Sequence, residues 1–308
     1  MTTFAQQADI YLAKIATRKR RPVKATSLAT IRSLIRAASP VLGRMELEAI
    51  KSGALKTLAE TLCEQDYAPN SIQSIVTTAK LIVESDVDQD GDPKHLRKWN
   101  NDRIFESVPP EADKSPVITA SELEAVIAKA RPVIREFIIT QAASGCRKGE
   151  LLALRVSDFD REIGLLHVSR TLSRHGETAT KTKSGQRDVD IAPEIVAMLT
   201  AMLGDRTTGR LFDVTLDEMR RAFEDLDIKS HSLRHFRYTN LQKCYEFLHP
   251  AIHNFWIGHS MPGMAKRYGH IIEDVDLRQQ MVRRVGLGFN LPTVVSPTEQ
   301  LEHVEVSA

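Results

Sequence analysis

Residues 144–151 run Ser144-Gly145-Cys146-Arg147-Lys148-Gly149-Glu150-Leu151. An apolar run, Ile134-Arg135-Glu136-Phe137-Ile138-Ile139, precedes them, and Leu152-Ala153-Leu154 follows. The reading is helix, turn, helix. Gly145 supplies the turn, and the second helix starts with Arg147 and Glu150 three positions apart, on one side, where guanidinium and carboxylate can pair. On its own such a pair is an ordinary surface ion pair. Three segments further along the chain change that reading.

The first is Thr182-Lys183-Ser184-Gly185. Residues 163–172 and 187–191 read as extended, with Val189 and Ile191 alternating with Asp188 and Asp190 at the period of a half-buried strand. Lys183-Ser184-Gly185 then makes the turn between extended segments. The second, His231-Ser232-Leu233-Arg234-His235, sets His231 and Arg234 on one helical face. Two such donors can converge on one anion, and a guanidinium suits phosphate oxygens in bidentate fashion. Alone, this stretch is equally a solvated basic turn. The third is Ile257-Gly258-His259-Ser260, read as a turn into a helix, followed by Lys266-Arg267-Tyr268-Gly269-His270. A lone His is more often structural than catalytic. Tyr268, between cationic neighbours that favour phenolate, reads as a nucleophile or as a partly buried amphipathic side chain.

Taken together, Arg147, Lys183, His231, Arg234, His259 and Tyr268, in that chain order, resemble the tyrosine recombinase family, the phage integrases and related site-specific DNA recombinases. The resemblance covers residues 117–290 and is weaker before them. It implies a mainly α fold with a small β-sheet (α+β): an N-terminal helical core-binding domain over 1–108, a linker over 109–116, a catalytic domain over 117–291 and a tail over 292–308. It further implies that Tyr268 attacks a phosphodiester to form a 3′-phosphotyrosyl link while Arg147 and Arg234 clamp the non-bridging oxygens. By the same resemblance Lys183 protonates the departing 5′-hydroxyl, His231 assists proton transfer at Tyr268, and His259 hydrogen-bonds a phosphate oxygen. Glu150 steers a neighbouring cationic side chain. No metal ion and no cofactor are expected. Double-stranded DNA is the expected partner, with a homotetramer assembled on it for strand exchange. The apolar residues Ile271, Ile272, Val275, Leu277, Met281, Val282 and Val285 form a helix face that family resemblance would dock on a neighbouring subunit; packing within its own domain is the alternative. Ser144, Phe236-Arg237, Trp256 and Met264 depart from the family pattern. Arg237 reads as an added phosphate contact or as simply exposed.

Composition sets the frame. The chain has 308 residues, enough for two domains, and 42% hydrophobic against 27% charged residues, which excludes collagen-like and fully disordered classes. The net charge of +2 is too small to announce a nucleic-acid partner. Its distribution says more, because residues 1–60 hold eleven Lys and Arg against four Asp and Glu. Arg18, Lys19, Arg20, Arg21, Lys24, Arg32 and Arg36 are the candidate DNA-phosphate contacts, with a solvated loop as the alternative for the 18–21 run. The three cysteines are scattered and form neither a metal spacing nor a disulfide framework. No secretory signal or membrane span is read, so a cytoplasmic place is expected.

The first hundred residues read as helices, with apolar stripes at Tyr11, Leu12 and Ile15, at Leu28, Ile31, Leu34 and Ile35, and at Ile72, Ile75, Ala79 and Ile82. Asn70 or Ser71 is the expected cap of the last. Asp86-Val87-Asp88-Gln89-Asp90-Gly91-Asp92 resembles the start of a calcium loop, but Arg97 stands where the twelfth-position carboxylate belongs, and an acidic turn is the favoured reading. Thr119-Ala120-Ser121-Glu122 is a capping signature. Other functions remain in view: a type IB topoisomerase, which shares the cleavage chemistry, and a catalytically silent DNA-binding module. A metal-dependent nuclease is disfavoured, because no carboxylate cluster accompanies the basic motifs.

Overall fold

The computed structural model describes residues 2–20, 22–110, 118–180, 185–259 and 265–292, apart from the side chains of 265–268. The chain divides into two compact units, Met1–Lys114 and Ser115–Ala308.

Unit 1 is helical throughout its regular structure: α1 (Phe4–Ala16), α2 (Ala25–Leu42), α3 (Ser52–Glu64), α4 (Pro69–Glu84) and the short α5 (Asn101–Ile104). Thr3 and Gln6 open α1 with a capping box, each side chain accepting from the other's backbone N–H. Phe4, Leu42, Leu58, Ile72, Ile75 and Ile82 are wholly or almost wholly buried in one core. The stripe Leu55, Leu58, Ala59 and Leu62, at helical spacing, builds α3, which the three stripes above did not include. Helix α4 begins at Pro69 after Ala68, not under an Asn70 or Ser71 cap. Proline has no N–H to satisfy and a φ already set for a helix, so it takes the first helical position. The acidic stretch is a turn closed on Asp88, whose Oδ1 accepts from the N–H of Asp90 at 3.0 Å and of Asp92 at 2.9 Å.

Unit 2 opens with α6 (Ala120–Lys129), capped by Thr119 and Glu122 as its signature implies. In α7 (Ile134–Ser144) every residue except Arg135 is buried, so this helix forms the axis of the unit. Helix α8 (Lys148–Ala153) follows. Five short strands come next: β1 (Phe159–Asp160), β2 (Leu165–Val168), β3 (Arg170–Ser173), β4 (Gly176–Ala179) and β5 (Arg187–Asp190). Strands β1, β2 and β5 make one antiparallel sheet in that order, with Leu165 opposite Asp190 and Val168 opposite Arg187; β3 and β4 form a separate hairpin. Helices α9 (Pro193–Leu203), α10 (Leu216–Asp225), α11 (Ser230–Gln242), α12 (Pro250–Ile257), α13 (Ala265–Glu273) and α14 (Val275–Val285) complete the unit. The architecture is mainly α with a small sheet, as expected.

One finding departs from expectation. Asp190 does not point to solvent as strand alternation implies; it is 1% exposed. Its carboxylate accepts from Trp256 Nε1 at 2.6 Å, Arg278 Nε at 2.7 Å and Gln279 Nε2 at 2.9 Å, and these partners replace the lost water. The apolar face of the C-terminal helices packs in part inside its own unit. Val282 lies buried with Leu241, Leu248, Ile252 and Trp256, and Ile271, Leu277, Met281 and Val285 pack against this cluster. Among the described residues, no helix is long and apolar enough to cross a membrane.

Candidate active site

Two left-handed glycines shape the site. Gly145 ends α7 and Gly258 ends α12, each with φ near +70°. A side chain at either would also collide: a Cβ on Gly145 would sit 2.7 Å from Ile257 Cδ1, and one on Gly258 2.9 Å from Arg187 Cζ. The two turns offer main-chain carbonyls to one guanidinium. Arg234, on α11 and 5% exposed, donates from Nη1 to Gly145 O at 2.7 Å and from Nη2 to Ile257 O at 2.6 Å. An arginine carries five N–H donors, so three remain for a ligand.

Arg147 stands at the start of α8, with its side chain 47% exposed. Glu150, one turn on and buried, holds it twice: Oε1 accepts from Arg147 Nη1 at 2.8 Å and Oε2 from the Arg147 backbone N–H at 2.9 Å. Oε2 also accepts from Arg187 Nη2 at 3.1 Å. Burial pushes the Glu150 carboxyl up, but the Arg187 charge and the bonds from Arg187 and Arg147 outweigh it and hold it below the ordinary range, so it is ionised at neutral pH.

The charges overlap. Burial, and then the Arg147 charge, bring Arg234 down to about 10, which still leaves it charged at pH 7. His231 is lowered by burial and by His235, Arg234 and Arg147; His259 is lowered by burial and by Arg234, Arg147 and Arg187. Both imidazoles therefore lie in the field of the same two arginines and are predominantly neutral at pH 7. Two fixed cations beside two neutral imidazoles, with the Glu150 carboxylate already engaged by Arg147 and Arg187, make a receptor for an oxyanion and a route for a proton.

No family model matches the chain. It is similar to the integrase of Mycobacterium phage FRAT1, 33% identical over 150 residues that span 46% of this chain and 40% of the phage protein. The integrase of Mycobacterium phage D29 is 32% identical over 150 residues, 46% of this chain and 36% of the phage protein. The match thus spans less than half the length of these curated relatives. Among solved structures, the Tn1549 transposon integrase in complex with transposon right end DNA superposes with a TM-score of 0.67 at 15% identity, covering 98% of this chain and 99% of that one. A lambda integrase dimer bound to a COC′ core site gives 0.55 at 18% identity, covering 87% and 77%. A lambda integrase tetramer bound to a Holliday junction gives 0.55 at 15%, covering 85% and 79%. The chain has the tyrosine recombinase fold.

On this recombinase fold, Arg147, His231, Arg234 and His259 come together, with Glu150 behind Arg147. Lys183 lies outside the described residues. Tyr268 falls within α13, and its side chain lies outside the described residues. Gly258 and His259 end α12 at a left-handed turn; residues 260–264, between them and α13, lie outside the described residues. Arg237 is neither exposed nor turned to a ligand: it is 2% exposed and donates to Gly286 O at 2.7 Å, with burial bringing it down to about 10. In unit 1, Arg18, Lys19, Arg20, Lys24, Arg32 and Arg36 are all at least partly exposed, and among the described residues none of them has an ion-pair partner. Arg21 lies outside the described residues. Sequence reasoning missed Arg187, because Arg187-Asp188-Val189-Asp190 has the look of a strand with a solvated polar face. No cluster of three or more His, Cys, Asp or Glu able to hold a metal occurs among the described residues.

Proposed function

We propose that this chain is a site-specific DNA recombinase that integrates or exchanges DNA by cleaving and rejoining strands through a 3′-phosphotyrosyl intermediate. The observation that carries this reading is the convergence of Arg147, His231, Arg234 and His259, with Arg234 fixed by two carbonyls and Arg147 by Glu150. The Tyr268 Oη attacks phosphorus, and the bond from phosphorus to the 5′-oxygen breaks. The two guanidiniums hold the non-bridging oxygens as charge grows on them. Lys183 gives the departing 5′-oxygen its proton, His231 takes or returns the proton of Tyr268, and His259 bonds a phosphate oxygen. The link conserves the energy of the broken bond, so a second 5′-hydroxyl reverses the step without ATP, metal or cofactor.

Double-stranded DNA is the partner, with a homotetramer assembled for exchange. The unit 1 cations support the DNA reading. Arg32 and Arg36, four apart on α2, repel each other, and Lys24 sits at the positive end of that helix. The fold gains nothing from this placement, whereas a polyphosphate surface does.

The test is covalent trapping on nicked duplexes from the protein's own genomic neighbourhood, in EDTA, beside Tyr268→Phe. An adduct formed by the parent protein and absent from the variant, with both binding DNA, is expected. An adduct that persists in Tyr268→Phe removes the nucleophile assignment. DNA binding without adduct across broad duplex libraries favours a silent DNA-binding module.

A further inference from the structure

Arg187 lies at the centre of the site, yet its side chain is only 1% exposed and offers no donor to a ligand. Four contacts, the weakest from Nη2 to Cys146 Sγ at 3.9 Å, engage the fork inward. Nε donates to Trp256 O at 2.8 Å, Nη1 to Gly185 O at 3.2 Å and Nη2 to Glu150 Oε2 at 3.1 Å. Each acceptor belongs to a segment that presents a reacting group. Glu150 holds Arg147 through its other oxygen. Trp256 precedes Ile257, whose carbonyl holds Arg234, and then Gly258-His259. Gly185 lies two residues beyond Lys183. The guanidinium also fills the space that a Cβ on Gly258 would need.

We propose that Arg187 is a positioning residue that fixes the spacing of Arg147 and His259 for phosphoryl transfer. The proposal rests on the recombinase reading above, and goes beyond it in assigning the register of the site to a residue that touches no substrate. A planar fork with three acceptors at fixed angles can set three segments at once; an ammonium on a flexible stem cannot.

Arg187→Lys is the decisive variant, because it keeps the charge beside Glu150 and removes the fork. Arg187→Met removes both. Two readouts are taken. The first is the single-turnover rate of adduct formation on a nicked duplex at saturating DNA, beside melting temperature and DNA affinity. The second, independent of catalysis, is the NMR titration of His231. Beyond burial, that imidazole is lowered by His235, Arg234 and Arg147. A change in its midpoint therefore reports movement of Arg234 or Arg147 around it, since Arg187→Lys keeps the charge beside Glu150.

Arg187→Lys is expected to lower the adduct rate by about 10²-fold, the cost of a misplacement near 1 Å, with DNA affinity retained. The His231 midpoint rises toward its ordinary value as Arg234 and Arg147 drift away. Three results overturn the proposal: full recovery of rate by Lys, which would make charge alone sufficient; rates that track melting temperature across variants; or an unmoved His231 midpoint in folded Arg187→Lys. If the parent protein forms no adduct on any duplex, the recombinase reading fails, and the His231 titration still decides the role of Arg187.

Discussion

Six cations of unit 1 and four arginines of unit 2 are kept in opposite ways. Arg18, Lys19, Arg20, Lys24, Arg32 and Arg36 meet solvent, and among the described residues none has an ion-pair partner. Arg187, Arg234, Arg237 and Arg278 are at most 5% exposed, and each is bonded to a carbonyl or a carboxylate. Free lysines and arginines follow a phosphate backbone wherever it runs, and their energy comes from released counterions. A buried arginine gives up its hydration and recovers it only in part through its new bonds, so its position is fixed by the fold. The exposed six thus carry charge suited to affinity, and the buried four carry charge suited to geometry.

The largest expected effect breaks the second half of that contrast. Asp190→Ala leaves Arg278 and Trp256 Nε1 buried without their acceptor, and a broken buried pair costs about 3–5 kcal/mol. Thermal or denaturant unfolding of the full chain checks this; a drop below about 1 kcal/mol would show the pair to be hydrated. Arg278 also donates to Ile272 O at the end of α13, so the same variant should weaken adduct formation through the helix that carries Tyr268.

Arg234→Ala comes next. Removing a preorganised donor aimed at developing charge costs about 10²–10³ in rate. Single-turnover trapping at saturating DNA measures it, and a near-normal rate would remove the clamp from the mechanism.

A pH effect sharpens the comparison. Burial, reinforced by the His259 and Arg237 charges, brings His253 to about 4 from an ordinary 6.5. Its ring packs on Tyr238, Nδ1 meets the Tyr245 hydroxyl at 3.2 Å, and Nε2 is buried without a partner. The unfolded chain binds a proton below 6.5 that the folded chain refuses until about 4. Stability from this group is complete above about pH 6.5 and falls between about 6.5 and 4, by on the order of 3 kcal/mol. In denaturant titrations across this range, His253→Phe should flatten the slope; an unchanged slope would place the titration elsewhere.

The smallest effect tests unit 1. Replacing Arg18, Lys19 and Arg20 by Ala should leave cleavage at saturating DNA unchanged and weaken binding. The slope of log K against log salt should shrink by about 0.9 for each phosphate that the variant no longer neutralises. A fall in cleavage rate at saturation would mean these residues do more than hold the backbone.

How much of this was legible depends on the range of the signal. The capping box at Thr119 and Glu122, the pairing of Arg147 with Glu150, and the shared face of His231 and Arg234 each span three positions, and helix geometry alone brings them together. The recombinase fold was legible because its motifs are short and ordered. Expectation and structure part where a local pattern competes with a distant partner. Asp190 obeys strand alternation in sequence, but Arg278, eighty-eight residues on, makes its burial tolerable. Arg237 has the look of another basic surface residue, and Gly286 O lies forty-nine positions away.

By itself the sequence determined the helical class, the turn chemistry at Gly145 and Gly258, and the identity of the groups able to handle a phosphodiester, because propensity, capping and side-chain chemistry act within a few residues. Only the tertiary structure decided which charges are spent inside the protein and which are left for a ligand. Arg187 and Arg234 carry the same guanidinium, and both are buried. One directs four contacts inward, to Trp256, Gly185, Glu150 and Cys146; the other makes two and keeps three donors. That difference depends on acceptors supplied by segments distant in the chain, which no local pattern encodes.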